Sequence, residues 1–315
     1  MKSIASAPGK VILFGEHFVV YGIKAILCAI DKRVKVTSST TESNSIDIKS
    51  NLGSISIPKS KSLDELKSPL LPFIYLSKKM ISRFDHPGGI SVTIDSSIPS
   101  GVGLGSSSAC CVAAAASISG LFNHFSKDEI VNLAIEAEKT IFKDTSGADC
   151  SVCTYGGIME YDKENGFKKI ESSLNFPLVI VNSGITHSTN KVVKKVNEFK
   201  KKNELIFSSL CEKETELVNK VILSLKNNDF TSLGKIMTQN QEYLEKLGVS
   251  NNVLRNMIEI ANKTSFGSKI TGAGLGGCII SCVDESNLNP TLKNLQSNNY
   301  DCFPVKIDSK GLDTF

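Results

Sequence analysis

Between residues 99 and 121 a glycine- and serine-rich loop passes straight into an alanine-rich apolar run. The loop is Pro99-Ser100-Gly101-Val102-Gly103-Leu104-Gly105-Ser106-Ser107-Ser108, and the run extends from Ala109 to Leu121. Three alternating glycines let the backbone turn tightly and come close to a ligand. The run is apolar on nearly every side, so it reads as a helix buried all round, and the fold has to enclose it. Serines 106 to 108 sit where that helix begins. A helix start offers unpaired N–H groups and a partial positive charge, which suit an anion such as phosphate. The serine hydroxyls add donors or ligands for Mg²⁺. An ordinary glycine turn with an N-cap serine accounts for any one of these residues, but poorly for the alternation followed by three serines. This is not a Walker loop, because no Lys-Ser/Thr pair follows the glycines.

A chain of 315 residues that is 41% hydrophobic can build such a core, as one large domain or two ordinary ones. The most apolar early stretch, Val11 to Ile30, is broken by Glu16, His17 and Lys24, so no transmembrane helix is read there. The start, MKSIASAPGK, has no apolar core behind its lysine and is not read as a secretion signal, so a cytoplasmic protein is expected. Nine cysteines, an odd number, do not suggest a disulfide framework in a chain of this length. Cys150-Ser151-Val152-Cys153 is a lone CxxC with no second pair to complete a zinc site, and reduced, mostly buried thiols are the better reading. The net charge is +4, with lysines concentrated between Lys191 and Lys202. Val192, Val193, Val196 and Phe199 recur among them at helical spacing, which points to a solvated helix face rather than a nucleic-acid surface.

Residues 4 to 14 read as a strand, and 23 to 38 as further strands with a turn at Asp31-Lys32-Arg33. Edge strands are expected around Ile46, Ile48, Ile55 and Ile57, a helix from Leu70 to Phe84, and a half-buried strand through Ile90, Val92 and Ile94. A second helix spans Lys127 to Lys143, with Ser126 as N-cap and Glu129 at the capping-box position. A Gly/Ser loop and a strand from Gly157 to Tyr161 follow, then an apolar strand from Pro177 to Asn182. Helices dominate afterwards, over 190–202, 204–226, 229–247 and 251–264. A glycine loop at Gly272 to Gly277, a strand from Cys278 to Val283, a helix over 286–298 and a strand over 302–308 complete the chain. The change of texture places a domain boundary near residue 180, giving units 1–180 and 181–315.

Three further groups of residues carry chemistry. Lys10, Glu16 and His17 interrupt an apolar segment, where charge is expensive to bury unless paired, so they are candidates for a site. Glu138 on a helix and Asp149 in the loop after it are two carboxylates that can hold Mg²⁺ and orient an attacking hydroxyl, with Asp144 a competitor on chemistry alone. Thr271-Gly272-Ala273-Gly274-Leu275-Gly276-Gly277 formally contains GxGxxG. The CIISCV that follows reads as a strand, which contradicts a dinucleotide fingerprint.

In order, PGKVILFGEH, PSGVGLGSSSA, DTSGAD and KITGAGLGGC resemble the four landmarks of the GHMP kinases, the group that includes galactokinase, homoserine kinase, mevalonate kinase and phosphomevalonate kinase. The resemblance spans residues 5 to about 282, and Gly15-Glu16-His17-Phe18-Val19-Val20-Tyr21-Gly22 is similar to the mevalonate kinase version, GEHxVVxG. It implies an α+β, two-domain fold, with an N-terminal unit like ribosomal S5 domain 2 and a C-terminal ferredoxin-like α/β sandwich. It implies ATP bound along Pro99, Gly101, Gly103, Leu104, Gly105, Ser106, Ser107 and Ser108, and Mg²⁺ held by Ser107 and Glu138. Asp149 is the implied catalytic carboxylate and Lys10 its partner. Glu16, His17, Thr189, Gly272, Ala273 and Gly274 would lie near the acceptor with them. The implied acceptor is mevalonate, phosphorylated on its C5 hydroxyl for isoprenoid synthesis; another acceptor of the same group is the alternative. A small molecule is the expected partner, with no nucleic acid or membrane, and a homodimer is left open. Tyr21 stands where many relatives have His, Thr145 where Pro is usual, and His187 where Arg is frequent.

Overall fold

The computed structural model describes residues 1–51, 53–99, 101–171, 176–186 and 188–315; Ser100 of the glycine loop and His187 lie outside them. Strands β1 (Lys2–Phe14) and β2 (Ala25–Thr41) form a long antiparallel pair, with Lys2 opposite Ser39 and Ile12 opposite Leu27. Ala25 to Ile30 are buried without alternation, because both faces of β2 are covered there. The turn expected at Asp31-Lys32-Arg33 does not form. Pro8 faces Arg33 and Gly9 faces Ile30, so Asp31 and Lys32 are accommodated as a bulge. Their polar groups find partners near the end of the chain instead. Asp31 exchanges hydrogen bonds with Lys306, and the Arg33 guanidinium binds Ser6, Asp308 and the Gly311 carbonyl.

The hairpin β3 (Ser45–Ser50) and β4 (Gly53–Pro58) leads to helix α1 (Leu71–Arg83) and strand β5 (Gly89–Ser96). Helix α2 (Ser106–Ser119) starts at the serines, and its residues Ala109 and Cys111 to Ser119 are all buried. Helix α3 (Lys127–Glu138) has the expected capping box between Ser126 and Glu129, but ends five residues before Lys143. There the Ile141 and Phe142 amides both turn back to the Glu138 carbonyl and close the helix. The segment read as a Gly/Ser loop is a further helix, α4 (Ala148–Tyr155). Gly147 in the left-handed conformation starts it, and no glycine or proline interrupts the eight residues that follow. Strands β6 (Ile158–Asp162) and β7 (Gly166–Ile170) form a hairpin beside β2, and β7 was not among the expected elements.

Strand β8 (Leu178–Asn182) opens a second sheet. Helices α5 (Thr189–Lys202), α6 (Glu204–Asn227), α7 (Phe230–Lys246) and α8 (Asn252–Ala261) follow it. Strands β9 (Gly267–Thr271) and β10 (Cys278–Cys282), helix α9 (Glu285–Ser297) and strand β11 (Asp301–Val305) complete this unit. The strand order is β11-β8-β10-β9, antiparallel throughout, as in a ferredoxin-like sandwich. The GxGxxG segment therefore joins two strands of a hairpin, and the helix that a dinucleotide site needs is not there. On α5 only Val192 and Val196 are buried, and Lys191, Lys194, Lys195, Lys201 and Lys202 lie on the solvated face.

A boundary drawn at residue 180 cuts β8, all of which pairs within the second sheet. The chain end does not stay with that sheet. Ile307 bridges to Ile30, and β12 (Asp313–Thr314) pairs with β1. The first sheet thus runs β12-β1-β2-β5-β3-β4, with β6 and β7 attached through β2. No helix among the described residues is long and apolar enough to cross a membrane.

Candidate active site

The glycine loop, the end of β1, the ends of α3 and α4, and the β9–β10 connection surround a cavity of about 860 Å³. One wall is the phosphate loop. The Lys10 amide donates to the Leu104 carbonyl at 2.9 Å, tying the loop to β1. Gly105 has φ 71°, and a Cβ there would stand 2.6 Å from Lys10 Cγ, so only glycine lets the lysine pass over the loop. No side chain caps the start of α2, which leaves its first-turn amides available to an anion. Pro99, Gly101, Gly103, Leu104, Gly105, Ser106, Ser107 and Ser108 all line the cavity.

Lys10 and Asp149 meet 3.0 Å apart, with the lysine buried and the carboxylate partly open to the cavity. Asp149 lies in the first turn of α4, not in a loop, and a helix start favours a carboxylate. Glu138, the last residue of α3, is buried and well supplied with donors. Ser108 donates to Oε1; Thr145 donates to Oε2 at 2.5 Å and the Cys150 thiol at 3.6 Å. The serine that touches Glu138 is therefore Ser108, while Ser107 lines the same cavity wall. Asp144 also reaches the cavity, exposed on the loop before α4.

The opposite end is built by Gly15, Glu16 and His17. His17 has φ 65° and ψ −41°, and the Phe18 amide donates to the Glu16 carbonyl at 2.8 Å. This is the rare γ-turn with a positive φ, a conformation that costs a non-glycine residue about 1–3 kcal/mol and persists only when its surroundings fix it. Its first two residues and the glycine before them are held by the second half of the molecule. The Gly15 amide donates to Glu214 Oε1 at 3.1 Å, Glu16 pairs with Lys269, and His17 Nε2–H donates to the Ala273 carbonyl at 2.8 Å. Glu16 and Lys269 are both essentially inaccessible; burial raises the carboxyl and lowers the ammonium, and each counters the shift of the other. Burial likewise lowers His17. Glu214 is raised to about 7, first by burial and then by the neighbouring charge of Glu16.

Thr189, Gly272 and Ala273 line the cavity beside this turn, but Gly274 does not. A Cβ at Gly274 would lie 2.3 Å from the Val249 carbonyl, so this glycine serves the packing of the β9–β10 connection on the segment after α7. Cys150 and Cys153 are buried, and burial pushes both thiols well above their ordinary value, the reverse of a redox-active CxxC.

Sequence reasoning missed Lys269, Glu214 and Asn240. Lys269 stands inside the motif KITGAGLGGC, where nothing local gives it a role. Glu214 left one signal, since it falls on the buried stripe of α6 between Leu210 and Leu217. Asn240, buried on α7, clamps both Glu214 oxygens at 2.9 and 2.7 Å.

Comparison with known proteins identifies the family. The profile of the GHMP kinases N terminal domain matches residues 73–157, and that of the GHMP kinases C terminal matches 221–301. The chain is 34% identical to the mevalonate kinase of Methanocaldococcus jannaschii over 96% of this chain and 99% of that protein. The crystal structure of the Methanococcus jannaschii mevalonate kinase superposes with a TM-score of 0.86 at 31% identity, covering 96% of this chain and 98% of that one. The L. major mevalonate kinase in complex with R-mevalonate shares the fold, with a TM-score of 0.82 at 24% identity over 98% and 97% of the two chains. The chain belongs to the GHMP kinases and, among them, to the mevalonate kinases.

Proposed function

We propose that this protein transfers the γ-phosphoryl group of ATP to the C5 hydroxyl of mevalonate, yielding 5-phosphomevalonate and ADP. The observation that carries the reading is the Lys10–Asp149 pair, 3.0 Å apart on the cavity wall between the anion-binding start of α2 and the Glu16–His17 turn. The ATP phosphates lie against residues 103 to 108. The acceptor lies toward Glu16, His17, Thr189, Gly272 and Ala273.

Phosphoryl transfer depends mostly on positioning and charge neutralisation. The acceptor oxygen attacks the γ-phosphorus, the bond to the β–γ bridging oxygen breaks, and Asp149 takes or orients the departing hydroxyl proton. Lys10 favours Asp149 as a carboxylate and stabilises the negative charge that develops on the acceptor oxygen. Glu138 and the Ser107 hydroxyl offer hard oxygen donors on the phosphate side, and one carboxylate together with substrate phosphates is a usual Mg²⁺ environment. Bound there, Mg²⁺ would neutralise charge on the phosphates. We further place the division between the two units just before Leu178, with the residues after Val305 returning to the first.

Among the described residues no arginine lines the cavity, which disfavours an acceptor that already carries a phosphate. The test is ADP release measured in parallel with mevalonate, phosphomevalonate, homoserine and galactose. Mevalonate is expected to lead the other three by about tenfold or more in kcat/KM, a margin that differential binding readily supplies. A lead by any other acceptor replaces this assignment.

A further inference from the structure

The turn that carries Glu16 and His17 belongs to the first unit, but its conformation depends on a group far away in sequence. Glu214 lies in the middle of α6, fully buried, and touches neither the phosphate loop nor the Lys10–Asp149 pair. Its Oε1 accepts the Gly15 amide at 3.1 Å. The Asn240 side-chain amide spans both of its oxygens from α7, so the carboxylate is fixed from behind while it holds the turn in front. A buried carboxylate on an apolar helix stripe is costly, and here its contacts lead to a strained backbone at a ligand cavity.

We propose that Glu214 is a positioning residue for acceptor binding: by fixing the Gly15 amide it sets the γ-turn at His17, and so places Glu16 and His17 at the acceptor end of the cavity. This rests on the reading that the turn lines the acceptor end. The pairs Glu16–Lys269 and His17–Ala273 hold the first two residues of the turn itself, and all three anchors come from the second half of the chain. Docking of α6 and β9 on the end of β1 therefore completes the acceptor end, while the phosphate loop is complete without it.

Two variants of similar volume separate positioning from packing. Glu214→Gln keeps an acceptor oxygen for the Gly15 amide, and Glu214→Met removes it. The methionine variant is expected to raise the KM for mevalonate by about tenfold or more, with the KM for ATP within about twofold of the wild type and the glutamine variant within about threefold for both. Amide hydrogen exchange across residues 15–18 reads the turn whatever the acceptor proves to be. It is expected to quicken about tenfold or more in the methionine variant alone. Equal exchange in the two variants overturns the proposal, as does quickened exchange with an unchanged KM for mevalonate, or an equal rise in both KM values. A wild type that ignores mevalonate but phosphorylates another acceptor corrects the substrate and leaves the proposal to be judged on that acceptor. Should the methionine variant fail to fold, Asn240→Ala, which unclamps Glu214, takes its place with the same expected split and the same overturning results.

Discussion

Lys10 Nζ stands 3.0 Å from Asp149 Oδ2, joining the interior of strand β1 to the first turn of helix α4. The lysine is buried and the carboxylate partly open, so the pair presents its acidic side to the cavity. Asp149→Asn keeps the shape and loses the carboxylate. It is expected to lower kcat by about 10²–10⁴, with the KM for ATP nearly unchanged. Steady-state kinetics with each substrate varied in turn decides this, and a variant with wild-type turnover would remove Asp149 from the mechanism.

Gly105 tests the phosphate wall. A methyl group there strains a backbone at φ 71° and drives into Lys10 Cγ. Left-handed strain alone costs about 1–2 kcal/mol, so Gly105→Ala should raise the KM for ATP by roughly tenfold and lower the denaturation midpoint. Gly103, also at positive φ, has nothing within 4 Å of its added Cβ and is the matched control with the smaller effect.

The Thr145 hydroxyl donates to Glu138 Oε2 from the loop before α4. Groups that orient a ligating carboxylate change metal affinity by about 10–100-fold when removed from tight sites. Two other donors remain here, so Thr145→Val should raise the Mg²⁺ concentration for half-maximal rate by only about three- to tenfold. Calorimetric titration of Mg·ATP into the variant, without acceptor, should show the same weakening. An unchanged Mg²⁺ requirement would assign Thr145 to loop structure alone.

The Glu16–Lys269 pair is buried on both sides. Removing one partner strands the other charge at a cost of about 3–5 kcal/mol. Urea denaturation should show a loss of that order for Lys269→Met, largely recovered in the double variant with Glu16→Gln. If the double variant is no more stable than the single one, the charges are not coupled as their geometry requires.

Burial lifts Glu214 from an ordinary 4.5 to about 7, so the folded protein holds a proton that the unfolded chain releases. Below pH 4.5 both states are protonated and no penalty arises. Between 4.5 and 7 stability falls as pH rises, and above 7 the full penalty, on the order of 3 kcal/mol, is present. The charges facing this carboxyl are Glu16 from the end of β1 and Lys269 from β9, with Asn240 from α7 as its neutral partner. Glu214→Gln should therefore gain in melting temperature on the wild type as pH rises from 5 to 8. A gap independent of pH would mean that Glu214 is ionised throughout.

The phosphate loop was legible because its chemistry is local: three glycines, three serines and a helix start lie within ten residues. Asp149 and Lys10 could be named as candidates, but their meeting depends on how α4 packs on β1, and α4 itself was read as a loop. The acceptor end was the least legible part. Gly15, Glu214, Asn240 and Lys269 are scattered over more than 250 residues, and nothing in local periodicity joins them. Glu214 in particular looks like one more charged residue in a charged helix until the phase of α6 shows that it points inward. The bulge at Asp31-Lys32, where local composition suggests a turn, is hidden for a similar reason, since the partners of Asp31 and Arg33, Lys306, Asp308 and Gly311, come from the far end of the chain.

The return of the last residues to β1 gives the second unit two attachments rather than one. The polypeptide leaves the first sheet before Leu178 and comes back through Ile307 and β12. A unit moored in this way cannot swing freely like a body on a single thread. The anchors that α6, β9 and the glycine connection supply to Gly15, Glu16 and His17 therefore all belong to one doubly attached unit, which holds the acceptor end from two crossings rather than one.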